Sequence, residues 1–223
     1  MFNYFHSLIH RPELGWDPLK SSYAAIYSEA EFNLGVNNDL LDEIELWISG
    51  FEEKNILDLG GGAGQYSLAF AARGANVTWH DISGKYRKFA EEMATRNGLK
   101  IKFSVGYMDE AYKILNTQYD LVFNRICWNY CQSDLHFAHV IYDLTKDNGV
   151  IYIDTTNSNY KYSSHTLSYK FKVWLNNYLN IKIGHPNPQR GRVAKLLQRF
   201  DIEKLVVDYS QSNNDRILLK KKG

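Results

Sequence analysis

The spacing of apolar residues changes period several times along this chain, and each change marks an element. Five runs of strand length, NILDL, NVTWHD, IKFSVG, YDLVFN and GVIYIDT, are bounded by glycine or polar positions. Between them lie stretches with apolar residues three and four apart: SLAFAARG ending at Gly74, GKYRKFAEEMATRNG with Gly98 as C-cap, the short MDEAYKIL, and DLHFAHVIYDLTKDNG stopped by Gly149. Strands alternating with helices of this length predict an α/β fold, a doubly wound, mostly parallel sheet covered on both faces. Right-handed crossovers leave few ways to connect it.

Before the alternation, HRPELGWDPL carries Pro12, Gly15 and Pro18 and reads as turns. SSYAAIYSEAEF predicts a helix capped by Ser21 or Ser22, and Leu40, Leu41, Ile44, Trp47 and Ile48 predict a second one, after the cap signal Asn38-Asp39. After the alternation come a helix over residues 166–179, the loop IKIGHPNPQRGR, a helical VAKLLQRF, and two strands, IEKLVVDYS and RILLKKK, joined by the turn QSNND. No repeat or separable second domain is visible. The expected organisation is one domain: a lid over 1–35, a core over 36–157, a substrate-side insertion over 158–200 and a terminal strand pair over 201–223.

Composition narrows the class. At 223 residues the chain can bury a sizeable core. It has no run near ~20 apolar residues, so no membrane partner is expected. Its first residues show no basic start followed by an apolar stretch, so a cytoplasmic location is expected. Cys127 and Cys131 match neither a disulfide framework nor a zinc ribbon and are expected as buried thiols, with no metal. The net charge of +1 hides a split: residues 161–223 hold 13 Lys and Arg against 4 Asp and Glu. Such a split fits either an anion-facing surface or complementarity between two halves of one domain.

Ligands of doubly wound sheets bind beyond the carboxyl ends of the strands. There the first strand delivers Asp58 into a turn holding Gly60, Gly61, Gly62 and Gly64, and the second ends in Asp81. The dinucleotide pattern G-x-G-x-x-G fails, because Gln65 stands where its third glycine belongs. The segment D-x-G-x-G-x-G instead resembles motif I of the class I S-adenosylmethionine-dependent methyltransferases, a likeness extending over roughly residues 40–157. The resemblance implies a seven-stranded Rossmann-like sheet with an antiparallel last strand, and S-adenosyl-L-methionine as cofactor. It implies that Asp58 serves the methionine amino group through the turn, whose glycines, with Tyr66, admit the sulfonium chain. Asp81, followed by Ile82, would take the ribose hydroxyls. In GYMDEA, Tyr107 and Met108 would flank the adenine and Asp109 would reach its amino group. Tyr107 occupies the place where the family carries its acid, and Asp109 comes two residues late. Asn124 and Arg125 complete the cofactor set.

For the acceptor, Trp128 and Asn129 follow the fourth strand, Trp16, Tyr23 and Tyr27 belong to the lid, and Arg190 and Arg192 offer forks for an anion. The expected activity is methyl transfer to O or N of a small, anionic metabolite such as a phosphorylated compound, a sugar nucleotide or a polysaccharide precursor. Alternatives are a tRNA or protein methyltransferase and a non-catalytic subunit. No Asn-Pro-Pro-Tyr motif follows the fourth strand and no RNA-binding domain is appended, so nucleic acid is not expected as partner; a homodimer is allowed. No general base stands out; Tyr130, His165 and His185 are the candidates.

Overall fold

The computed structural model describes residues 2–160 and 166–223. Seven strands form one sheet: β1 Asn55–Leu59, β2 Asn76–Asp81, β3 Ile101–Val105, β4 Tyr119–Arg125, β5 Thr145–Thr156, β6 Ile202–Asp208 and β7 Asn214–Lys221, in the order β3-β2-β1-β4-β5-β7-β6. β1 to β5 pair in parallel; β7 runs antiparallel to both β5 and β6. This is the Rossmann-like arrangement that the alternation and the family resemblance imply.

The period of two along each strand sorts the core onto two faces. Leu57, Leu59, Val122, Ile151 and Ile153 point to one face, under α7 Asp134–Leu144 and α9 Arg192–Leu197. Ile56, Val77, Leu121, Phe123, Val150 and Tyr152 point to the other, under α3 Asn38–Ile48 and α4 Gln65–Ala72. Fixing both faces fixes register, because a slip of one residue would exchange the two sets. The chain reversal at the carboxyl ends of β1, β2 and β4 is thereby held where a ligand can reach it.

Helices α5 Gly84–Arg96, α6 Ala111–Leu115 and α8 Leu167–Leu179 lie where the sequence places them. Three local differences have physical causes. Phe2–Ile9 forms a helix, α1, that no cap residue announces. Helix α2, Ser21–Leu34, starts after Lys20 without a side-chain cap, so neither Ser21 nor Ser22 fills that role. Helix α7 stops at Leu144 rather than near Gly149: Thr145 turns extended, and its hydroxyl donates back to Ile141 O at 2.8 Å. Asn148 and Gly149 belong to an irregular start of β5, where the pairing with β4 shifts between Tyr119 and Leu121.

Candidate functional site

The turn after β1 is built against β2. Gly60 N–H donates to His80 O at 2.7 Å, and Trp79 Nε1 donates to Gly62 O at 3.2 Å. Any Cβ at Gly61 would land on the Trp79 indole, so close packing, rather than ligand approach, demands glycine there. Gly62 has φ of 49° with open space above it, and is the position where a ligand can approach backbone. Gly64 N–H closes the turn onto Gly61 O at 2.9 Å, and α4 follows.

Three carboxyls surround this turn and η-type turn Met108–Glu110 after β3. Asp58 is 3% exposed and accepts the Ser67 hydroxyl at 2.7 Å; burial pushes it up to about 7, against that hydrogen bond, and neighbouring Asp81 adds to the rise. Asp81 accepts Gly62 N–H at 3.1 Å on one oxygen and Ser83 N–H at 2.9 Å on the other, and burial pushes it up to about 6. Asp109 accepts Gln132 N–H at 2.9 Å; burial raises it to about 6, and its second oxygen has no partner among the described residues. Asn124, at the end of β4, donates to Leu59 O at 2.7 Å, which leaves its buried Oδ1 without a partner.

The lid is fastened beside Asp81. Asp17 accepts the Ser83 hydroxyl at 3.0 Å and Lys85 N–H at 3.0 Å at the start of α5. Trp16 is thereby set among His6, His10 and Tyr107, its ring nearly parallel to Tyr107 with centroids 6.5 Å apart. The Tyr107 hydroxyl donates to His10 O at 3.0 Å. Tyr23 stacks on Tyr27 at 5.8 Å, and Tyr27 meets Tyr86 of α5 at 5.5 Å. The Tyr130 ring lies 5.3 Å from His185. Burial raises the Tyr27 hydroxyl to about 12 and pushes Tyr86 and Tyr130 up as well, so these phenols stay protonated. Sequence reasoning missed Tyr86, Trp79 and Asp17, whose roles depend on contacts with residues far away in the chain.

Other expected site residues are committed elsewhere. Trp128 is fully enclosed, donates its indole N–H to Asp134 at 3.2 Å and packs on Phe137, so it cannot meet an acceptor. Arg192 donates to Asp134 and to Asn177 O at 2.8 and 2.7 Å, and to Asn180 at 3.0 Å. Its fork is filled from within. Arg190 donates to Tyr209 O and lies over the Tyr209 ring at 5.2 Å. Tyr66 packs on Phe123 at 5.0 Å with Arg125 over its ring at 5.1 Å, and Met108 leans on the core. Ile82, following Asp81, and Asn129 are half-buried, and His165 lies outside the described residues. Among the described residues no cluster suited to a metal ion occurs. A cavity of about 860 Å³ opens at the amino ends of β1 to β3, lined by Asn55, Thr78, Lys102 and Tyr119, at the far end of the sheet from all these groups.

A doubly wound sheet with an antiparallel β7, a glycine turn after β1 and an acid ending β2 defines a Rossmann-like nucleotide-cofactor protein. Residues 56–149 match the family model described as a methyltransferase domain. The ubiquinone biosynthesis O-methyltransferase of Nitrosomonas europaea is 30% identical over 149 residues, 66% of this chain and 59% of that protein. The enzyme of the same name from Erwinia tasmaniensis is 29% identical over 126 residues, 56% of this chain and 52% of that protein. The chain thus spans between half and three-fifths of the length of these relatives. In fold it is similar to an S-adenosylmethionine-dependent methyltransferase from Clostridium acetobutylicum, with a TM-score of 0.64 at 17% identity, covering 91% of this chain and 98% of that one. Residues 56–149 thus match the methyltransferase-domain family, and the fold is the one seen in S-adenosylmethionine-dependent methyltransferases.

Proposed function

We propose that the chain transfers a methyl group from S-adenosyl-L-methionine to an oxygen of a small, hydroxylated aromatic acceptor. The observation that carries this reading is the turn in which Asp81 accepts Gly62 N–H, with the rings of Tyr86, in the first turn of α5 just after it, Tyr27 and Tyr23 packed in series. The residues present fit the cofactor. Each Asp81 oxygen takes a single N–H from the backbone turns, leaving lone pairs for two ribose hydroxyls. Asn124 Oδ1 and Asp109 are acceptors in want of donors, which an ammonium and an adenine amino group bring. Three carboxyls held up by burial favour a cationic ligand over a pyrophosphate.

The bound cofactor supplies an activated methyl group. The protein's own part is to hold the acceptor in line and exclude water. Tyr23, Tyr27 and Tyr86 offer faces for an aromatic ring, and the hydroxyls of Tyr27 and Tyr86, kept protonated by burial, can orient it but cannot serve as base. His185, beside Tyr130, is the group assigned to take the acceptor's hydroxyl proton. The oxygen acceptor also accords with the O-methyltransferase name of the relatives. An anionic acceptor draws less support, since the Arg192 fork and Lys182 are both used inside the protein.

Labelled S-adenosylmethionine offered with a panel of phenols, phosphorylated sugars and amines tests the reading: label is expected on a phenolic oxygen, and label on the sugars or amines alone overturns it. His185→Gln is expected to lower kcat by about 100-fold with KM little changed. Tyr130→Ala is expected to raise acceptor KM roughly tenfold, the loss of one ring contact. Acid should weaken cofactor binding. Asp81 must be ionised to accept two hydroxyls, and its carboxyl in the free protein sits at about 6. With Asp58 at about 7 and Asp81 and Asp109 at about 6, affinity for S-adenosylhomocysteine should level off only above pH ~8. It should fall as pH drops through 7 and 6, by up to about tenfold per unit for each proton taken up. Calorimetric titrations across this range check the slope.

A further inference from the structure

Helix α8 is turned inside out. Its inward face carries Asn176, 1% exposed and donating to Asp134 at 2.8 Å, with Val173 beside it. Its outward face carries Leu167, Phe171, Trp174 and Tyr178, which are 85, 57, 46 and 64% exposed. At ~100° per residue these four fall within an arc of about 60°, on the side opposite Asn176. Their rings form a ribbon: Phe171 stacks on Trp174 at 6.0 Å, and Trp174 meets Tyr178 at 6.0 Å. Exposed Leu179 and Ile181 extend it past the helix end. A helix at a water-exposed surface normally shows the reverse arrangement, and a contiguous apolar stripe of this kind marks a docking face.

Charge decides what docks there. No Asp or Glu occurs anywhere from residue 155 to residue 200, whereas α8 itself carries Lys170 and Lys172. Lys170 is exposed next to the stripe, and Lys172 is half-buried further round the helix. A second copy using the same stripe across a two-fold axis would set one acid-free, cationic segment against another. Aromatic rings and leucine on one face with exposed Lys170 beside them suit a helix lying in the headgroup region of a bilayer, the rings at the acyl boundary and the ammonium group on a lipid phosphate. We propose that α8 docks the protein on an anionic lipid surface through Leu167, Phe171, Trp174 and Tyr178, with Lys170 on the headgroup phosphates. No described helix is long and apolar enough to cross a membrane, so this is attachment to a surface and revises the expectation of no membrane partner. Because α8 is tied through Asn176 and Asp134 to the loop that carries Tyr130, docking would hold that loop near the lipid. The proposal does not rest on the methyl-transfer reading.

Vesicle flotation of the whole protein tests it, with vesicles of phosphatidylcholine alone and of phosphatidylcholine containing phosphatidylglycerol. The protein is expected to float with the anionic vesicles and not with the neutral ones, and to be released by high salt. F171S/W174S and K170E are each expected to lower partitioning by about tenfold or more, while S-adenosylhomocysteine affinity and the circular dichroism spectrum stay unchanged. The proposal is overturned by the absence of flotation on either vesicle, by equal flotation on both, or by equal flotation of wild type and F171S/W174S. A dimer in sedimentation that F171S/W174S dissociates would also overturn it, by giving the stripe to a second copy.

Discussion

Replacing Asp81 by alanine should abolish S-adenosylhomocysteine binding, with a loss of at least about 100-fold in affinity. Two charge-assisted hydrogen bonds to ribose hydroxyls are worth roughly 1.5–3 kcal/mol each. The substitution also frees Gly62 N–H and Ser83 N–H, which the carboxylate now holds at the turn and at the start of α5. Asp81→Asn separates binding from folding. Burial raises the carboxyl to about 6, above its unfolded value, so the ionised group lowers stability as pH rises from about 4 through 6. At pH 7 the neutral amide removes that cost but can accept only one of the two backbone N–H groups, so its stability should stay within about 1 kcal/mol of the wild type while it binds the cofactor more weakly. Calorimetry and thermal unfolding, run on both variants, check the pair of outcomes. Unchanged affinity in Asp81→Ala would remove the acid from the cofactor site.

Removing the carboxylate at position 134 should be the most destabilising single change on the substrate side. Asp134 is fully buried and accepts from Lys182 Nζ at 2.8 Å, Arg192 Nε at 2.8 Å, Asn176 Nδ2 at 2.8 Å and Trp128 Nε1 at 3.2 Å. Although burial opposes ionisation, these cations and donors hold the carboxyl down to about 2, and Lys182 is raised in turn. Taking the carboxylate away leaves two cations without their counter-ion indoors, and Asp134→Leu should cost about 3–5 kcal/mol, whereas Lys182→Met leaves the Asp134–Arg192 pair and should cost less. Replacing the whole buried pair by apolar residues should recover part of that loss, because such pairs are stabilising mainly against their own broken halves. The sign with pH follows from the depressed carboxyl: the contribution is complete above the unfolded value near 4 and disappears as pH falls through about 2. Chemical denaturation of wild type, Asp134→Leu and the double variant D134L/K182M measures all three.

The alternation of NILDL, NVTWHD, IKFSVG, YDLVFN and GVIYIDT with helical stretches was enough to set the parallel part of the sheet, because burial on two faces is a local property of each strand. The glycine turn and Asp81 were legible for the same reason: strand, turn and acid lie within one βαβ unit. Contacts over long separations were not. Lys182 and Arg192 look like an anion-binding surface in the sequence, yet their partner Asp134 lies 48 and 58 residues away and takes them indoors. Trp128 follows a site strand, but the same Asp134 draws its indole into the core. Tyr86 sits in the first turn of a helix of ordinary composition, and only the packing of Tyr27 against it joins it to the lid. The outward face of α8 was hidden likewise, since its orientation is set by Asn176 reaching Asp134 across 42 residues. Gly149 misled for a different reason: a glycine after a periodic stretch reads as a helix stop, whereas here it serves an irregular strand entry.

The central claim is that the turn at Gly60 to Gly64, with Asp81, receives S-adenosylmethionine. Calorimetric titration of the wild-type protein with S-adenosylhomocysteine and, separately, with NADH tests it most directly. Saturable binding of S-adenosylhomocysteine with one site per chain, and no binding of NADH, is the predicted result. Tight NADH binding with none of S-adenosylhomocysteine would contradict it.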